Sequence, residues 1–128
     1  MTSSEETGRI LNTSIILDRA NKRQEASQLL LLAIVDKQAR TIDEVRCSLH
    51  SCVGHLKNAA QKDFYFDLGW LESLNTILDD FASMSWVEKH HSSVTYQSTK
   101  VGRAQLDEQW KSLEGYLGMS LIQFQELC

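Results

Sequence analysis

Residues 29–35 read LLLLAIV, and they decide what kind of fold this chain can have. On a helix spanning about Glu25 to Ala39 the seven residues cover nearly all sides of the cylinder. A helix without a polar face needs other helices around it. Seven apolar residues fall far short of the roughly 20 needed to cross a bilayer, so the run belongs to a protein core.

Working outward, Thr41-Ile-Asp-Glu44 fits a capping box, with the Thr41 hydroxyl free to accept from the backbone and Glu44 able to reach back. Ile42, Val45, Leu49, Val53, Leu56 and Ala60 then recur at helical spacing in a stripe about 80° wide. One long helix is expected there. In 63–81, DFYFDLGWLESLNTILDDF, the residues Trp70, Leu71, Leu74, Ile77, Leu78 and Phe81 occupy about 120° of a further helix. Phe64, Phe66, Trp70, Leu71, Leu74 and Leu78 are the expected core of this region. Each of its large aromatics can bury on the order of 150–250 Å² against the LLLLAIV helix.

Toward the N-terminus, Ile10, Leu11, Ile15, Ile16 and Leu17 support a first helix after a polar lead-in over 1–8. Residues 9–128 are read as a single helical domain. The stretch MSWVEKHH either extends the preceding helix or forms a short one, and HSSVTYQSTK is polar enough to be a loop. Beyond it, Leu106, Trp110, Leu113, Leu117, Phe124 and Leu127 step by four and three, a heptad-like seam on one helix of about 25 residues. Gly115 and Gly118 lie inside that seam, where they either admit a close neighbour or break the helix. The pattern still runs at Cys128, as it would in a fragment of a longer chain. Because the seam is narrow, Leu106, Trp110, Leu113, Leu117 and Phe124 are expected to bind a protein partner or a second copy of the chain.

Composition supports the helical reading. The chain of 128 residues contains no proline, and hairpin turns lack their usual Asn-Gly and Asp-Gly pairs. An all-α fold of about five helices is expected, either a bundle or a short helical array. The net charge of −4, with no basic stripe, argues against capture of nucleic acid. No secretory signal is visible in the polar, acidic opening residues, and three cysteines give no disulfide framework. Cytoplasm or nucleus is the expected compartment, with no membrane partner.

Chemistry-bearing residues are few and poorly grouped. Cys47, His50, Cys52 and His55 are zinc-compatible, but on one helix they point across roughly 200°, too far apart for one tetrahedral ion. His90 and His91 are sequence neighbours and diverge on a helix. Asp43-Glu44 and Asp79-Asp80 read as capping and solvation. No nucleophile elbow, phosphate loop or HExxH motif is present. These observations predict a protein without catalytic residues, metal or cofactor.

Residues 42–81 taken together resemble the armadillo-repeat family. His55-Leu-Lys-Asn58 stands where that family ends a helix in an L-x-N region, and Leu68-Gly69-Trp70-Leu71 stands at its glycine-led third helix. Trp70 replaces the second glycine of the usual pair. Tyr65, Phe66, Gly69 and Leu71 are similar to the armadillo domain of meiotic telomere-bouquet proteins. The resemblance implies a helical array serving protein–protein interaction, and an independent helical bundle stays open beside it. The function expected is a non-enzymatic scaffold or adaptor module. The alternative is a small-molecule- or metal-binding bundle.

Overall fold

The computed structural model describes residues 21–66 and 73–128, apart from the side chains of Ala59, Asp63, Tyr65 and Phe66. The polar lead-in and the expected first helix therefore lie outside the described residues. So do Trp70, Leu71 and the side chain of Phe66 from the expected core.

Residues 21–37 are helical (α1). All seven residues of LLLLAIV are at most 3% exposed, so the helix is covered on every side, as its unbroken apolar run requires. Around it stand α2 (Ile42–Val53), α3 (Asn58–Phe66), α4 (Leu74–Ser83), α5 (Lys100–Leu117) and α6 (Leu121–Leu127). Each contributes to one core, with Leu49 from α2, Phe64 from α3, Leu74 and Leu78 from α4, Trp110 from α5 and Phe124 from α6. Of the core expected around 63–81, Phe64, Leu74 and Leu78 are thus fully buried. Among the described residues no helix is long and apolar enough to cross a membrane.

The fold is mostly helical but not all-α. Residues 87–98, expected to be helix or loop, form an antiparallel hairpin of β1 (Val87–His90) and β2 (Thr95–Ser98). Val87 lies opposite Ser98 and Lys89 opposite Tyr96, which puts these four on the inward face. Only Val87 and Tyr96 of that face are apolar and buried, so the period-2 signal amounts to one residue per strand. The turn over 91–94 closes with Val94 at φ 53, a left-handed conformation that a β-branched residue seldom adopts. Arg40 extends the sheet by one residue: its N–H donates to the Tyr96 carbonyl at 3.0 Å and its carbonyl accepts from the Tyr96 N–H at 2.8 Å.

The helix expected over 42–60 is broken, and the C-terminal one breaks at Gly118, one of the two outcomes its glycines allowed. The capping box at Thr41 and Glu44 forms as expected, but α2 ends at Val53 and α3 starts at Asn58. The apolar stripe survives the break, since Leu56 within the link and Ala60 beyond it are both buried. The link is held by the end of α5: the Lys57 N–H donates to the Leu117 carbonyl at 3.1 Å. Gly118 ends α5 at φ 79, and a Cβ there would lie 2.5 Å from that of Lys57. A left-handed residue and a close approach both demand glycine at this point.

Beyond Gly118, Ser120 caps α6 through a second capping box with Gln123. The turn brings Phe124 back onto Trp110, with ring centroids 5.3 Å apart, and the Trp110 indole N–H donates to the Met119 carbonyl at 3.0 Å. This corrects the reading of the C-terminal seam. Leu106, Trp110, Leu113, Leu117 and Phe124 are all at most 5% exposed and belong to the chain's own core. The facing helix of the narrow seam is internal, so these side chains are not a surface offered to a partner.

Candidate functional site

The junction of α1, α4, α5 and the connection that leads into β1 leaves an apolar socket of about 190 Å³. Its floor is Leu29 and Leu32 of α1 with Phe81 of α4, and its rim is Met84, Trp86, Gln28 and Gln109. The rim is shaped by the short connection from α4 to β1. Ser85 takes φ 63, the Trp86 N–H donates to the Phe81 carbonyl at 2.9 Å, and the indole stacks on the Phe81 ring with centroids 5.6 Å apart. Met84 is left 46% exposed at the mouth. A groove of about 220 Å³ lies elsewhere, between α5 and α6, lined by Trp110 and Leu121 with charged residues such as Arg103, Lys111 and Glu114. Both volumes fall below the roughly 300–1,000 Å³ typical of small-molecule sites. Each can take a side chain more readily than a cofactor.

A second polar cluster ties the helices together around the end of α1. The half-buried Asp36 accepts hydrogen bonds from the Ser98 hydroxyl at 2.5 Å and from the Gln125 amide at 2.9 Å, and it pairs with the Arg103 guanidinium. Burial pushes the Asp36 carboxyl up. The three hydrogen bonds and the charge of Arg103 outweigh it and hold the group below its ordinary value of 3.8. Nearby, the buried Arg40 donates to the Ile34 carbonyl at 3.1 Å, the Ser48 hydroxyl at 2.8 Å and the Cys128 carbonyl at 3.0 Å. It thereby joins α1, α2 and the end of α6, and supplies the donors a buried guanidinium must place.

A depressed folded pKa stabilises the protein above the unfolded value, and that stabilisation fades as pH falls through the folded one. At about pH 6, Asp36→Asn should therefore cost about 1 kcal/mol, and the gap to the parent should narrow as the pH falls below the ordinary value of 3.8. Urea midpoints of both proteins across that range provide the measurement. A gap that stays constant on acidification would show that the Asp36 carboxylate is not differentially stabilised in the fold.

The residues singled out for metal binding do not converge. Cys47, His50 and His55 are exposed while Cys52 is buried, and no group of three or more metal-ligating residues occurs among the described residues. His90 is half-buried on the outer face of the hairpin and His91 is in its turn. Asp43 pairs with Arg46 at the start of α2. Asp79, expected to be simply solvated, accepts from the buried Tyr96 hydroxyl at 3.0 Å, while Asp80 is exposed. The socket escaped sequence analysis because Met84 and Trp86 lie in a stretch with no readable period. The Met84-Ser85-Trp86 run, two large apolar residues outside any helical stripe, is the signal that could have marked it.

No family model, no curated protein and no solved structure matches the chain.

Proposed function

We propose that this chain is a non-enzymatic protein-interaction module, a scaffold or adaptor, whose partner inserts an apolar side chain into the socket beside Trp86. The observation that carries this reading is the combination of a preformed apolar floor with an accessible methionine and a stacked tryptophan at the rim. Tryptophan anchors protein interfaces more often than its abundance predicts, and methionine adapts its shape to varied ligands. The socket volume fits one or two side chains. The resemblance of residues 42–81 to armadillo repeats supports the same class of function, and an armadillo relationship remains part of the proposal. An intracellular compartment, cytoplasm or nucleus, accompanies it.

Selection of peptides from a random library on the immobilised chain tests the reading. The expected result is a consensus with one large apolar anchor. Met84→Glu should weaken the selected peptides at least about tenfold, or about 1.4 kcal/mol, by placing a charge at the socket mouth. Because Met84 is exposed, the melting temperature should stay near that of the parent. Peptides that bind the variant and the parent equally would place docking elsewhere.

A further inference from the structure

Cys52 and Cys128 are separated by 76 positions, yet their sulfurs meet at 3.5 Å, joining α2 to the end of α6. The meeting is not left to the sulfurs alone. Arg40 holds the Cys128 carbonyl at 3.0 Å while its other nitrogens grip Ser48 on α2 and Ile34 on α1. The Cys128 sulfur also lies 3.4 Å from the Phe124 carbonyl, the preceding turn of the same helix. Cys52 is fully buried and Cys128 half-buried, so Cys128 is the more accessible residue of the pair. The third cysteine, Cys47, is exposed on α2 and lies five residues from Cys52, about 140° around the helix.

We propose that Cys52 and Cys128 are a disulfide-forming pair, a reversible redox latch that fastens α6 to α2. A disulfide needs the sulfurs about 1.5 Å closer than in the reduced protein, which side-chain rotation and a small shift of α6 supply. The oxidant is a small-molecule disulfide such as glutathione disulfide. The outer Cys128 thiolate attacks one sulfur of it, releasing one glutathione thiolate and leaving a mixed disulfide on Cys128. Cys52 then attacks the Cys128 sulfur, forms the protein disulfide and expels the second glutathione. Two protein thiols lose two protons and two electrons, and glutathione disulfide is reduced to two glutathione thiols that take up the protons. The hydrogen bond from Cys128, opposed by burial and aided by the charges of Arg40 and Lys37, holds the Cys52 thiol below its ordinary range. The charges of Arg40 and Lys37 persist once Cys128 is blocked and favour the Cys52 thiolate in the second step. In the reduced pair the contact with Cys52 and burial push the Cys128 thiol up, which slows the first step.

The whole chain, incubated with excess glutathione disulfide, quenched with an alkylating agent and digested without reduction, gives the test. The expected product is one peptide cross-link between Cys52 and Cys128, lighter than the reduced pair by two hydrogen atoms, with Cys47 outside it. The link closes a long loop, so the melting temperature should rise by roughly 10 °C and return on treatment with a dithiol reductant. Cys128→Ser should keep the parent's reduced melting temperature within a few degrees and lose both the link and the rise. A stable glutathione adduct on Cys128 with a free Cys52 would overturn the pairing. A link that leaves the melting temperature unchanged would overturn the latch.

Discussion

Changing Leu113 and Leu117 together to glutamate is expected to abolish cooperative melting of the chain. Leu113 is 5% exposed and Leu117 fully buried, four residues apart on the same face of α5. Truncating one buried leucine costs about 2–5 kcal/mol. A carboxylate in its place must in addition be desolvated without a partner or take up a proton. Two such sites together consume most or all of the roughly 5–15 kcal/mol by which a domain of this size is stable. Far-ultraviolet circular dichroism and calorimetry on the double variant decide the matter. A cooperative transition within a few degrees of the parent, with only self-association weakened, would restore these leucines to an outward-facing seam.

That expectation reverses the meaning of the C-terminal heptad pattern, and the reason is physical. A seam of period 3.5 specifies one facing helix but not the chain that supplies it. Here the pattern continues through Gly118 and Ser120, so a turn and two helices have the same periodicity as one long helix. Phe124 keeps the phase of the stripe while packing back onto Trp110 from a second helix. The same ambiguity hides the break at Gly54, where Leu56 in the link and Ala60 on α3 both stay buried. Local chemistry is more legible than continuity. The capping box at Thr41 and the burial of LLLLAIV follow from residues a few positions apart.

Features that depend on distant residues were not legible. The hairpin rests on Arg40 pairing with Tyr96, on Val94 in a left-handed turn and on Thr99 gripping the chain at Ser85 and Trp86. None of these leaves a periodic mark. The socket depends on the same corner, because Trp86 is positioned by bonds to Phe81 and Thr99 and not by a place in any helix. The thiol pair is beyond sequence reading for the same reason: nothing near Cys52 in the sequence points to a residue 76 positions away. Arg40 gave no sign that it would be buried, since its three acceptors come from α1, α2 and the last residue.

The corner between the hairpin and α5 supplies the second large effect, at Gly102. In an exposed helix, replacing glycine with alanine is expected to stabilise by about 1 kcal/mol, since alanine loses less backbone entropy. Gly102 lies in the first turn of α5 and is buried. A Cβ there would overlap the Trp86 carbonyl oxygen and sit 2.8 Å from its carbon and 3.1 Å from the Trp86 Cα. All three are backbone atoms, so no side-chain rotation relieves the clash. Nor can the carbonyl swing away freely, because it accepts from the Thr99 N–H at 2.9 Å while the Trp86 N–H is committed to Phe81. The hairpin must therefore move off α5, and Gly102→Ala should cost about 3–4 kcal/mol net, above the usual overpacking range. Gly115 is the internal control, on the same helix and with no atom within 4 Å of the place a methyl would take. Gly115→Ala should stabilise by up to about 1 kcal/mol. Urea unfolding of the two variants measures the contrast directly. Equal stabilities would mean that Trp86 approaches α5 less closely than this overlap implies, and the rigid corner behind the socket would lose its support.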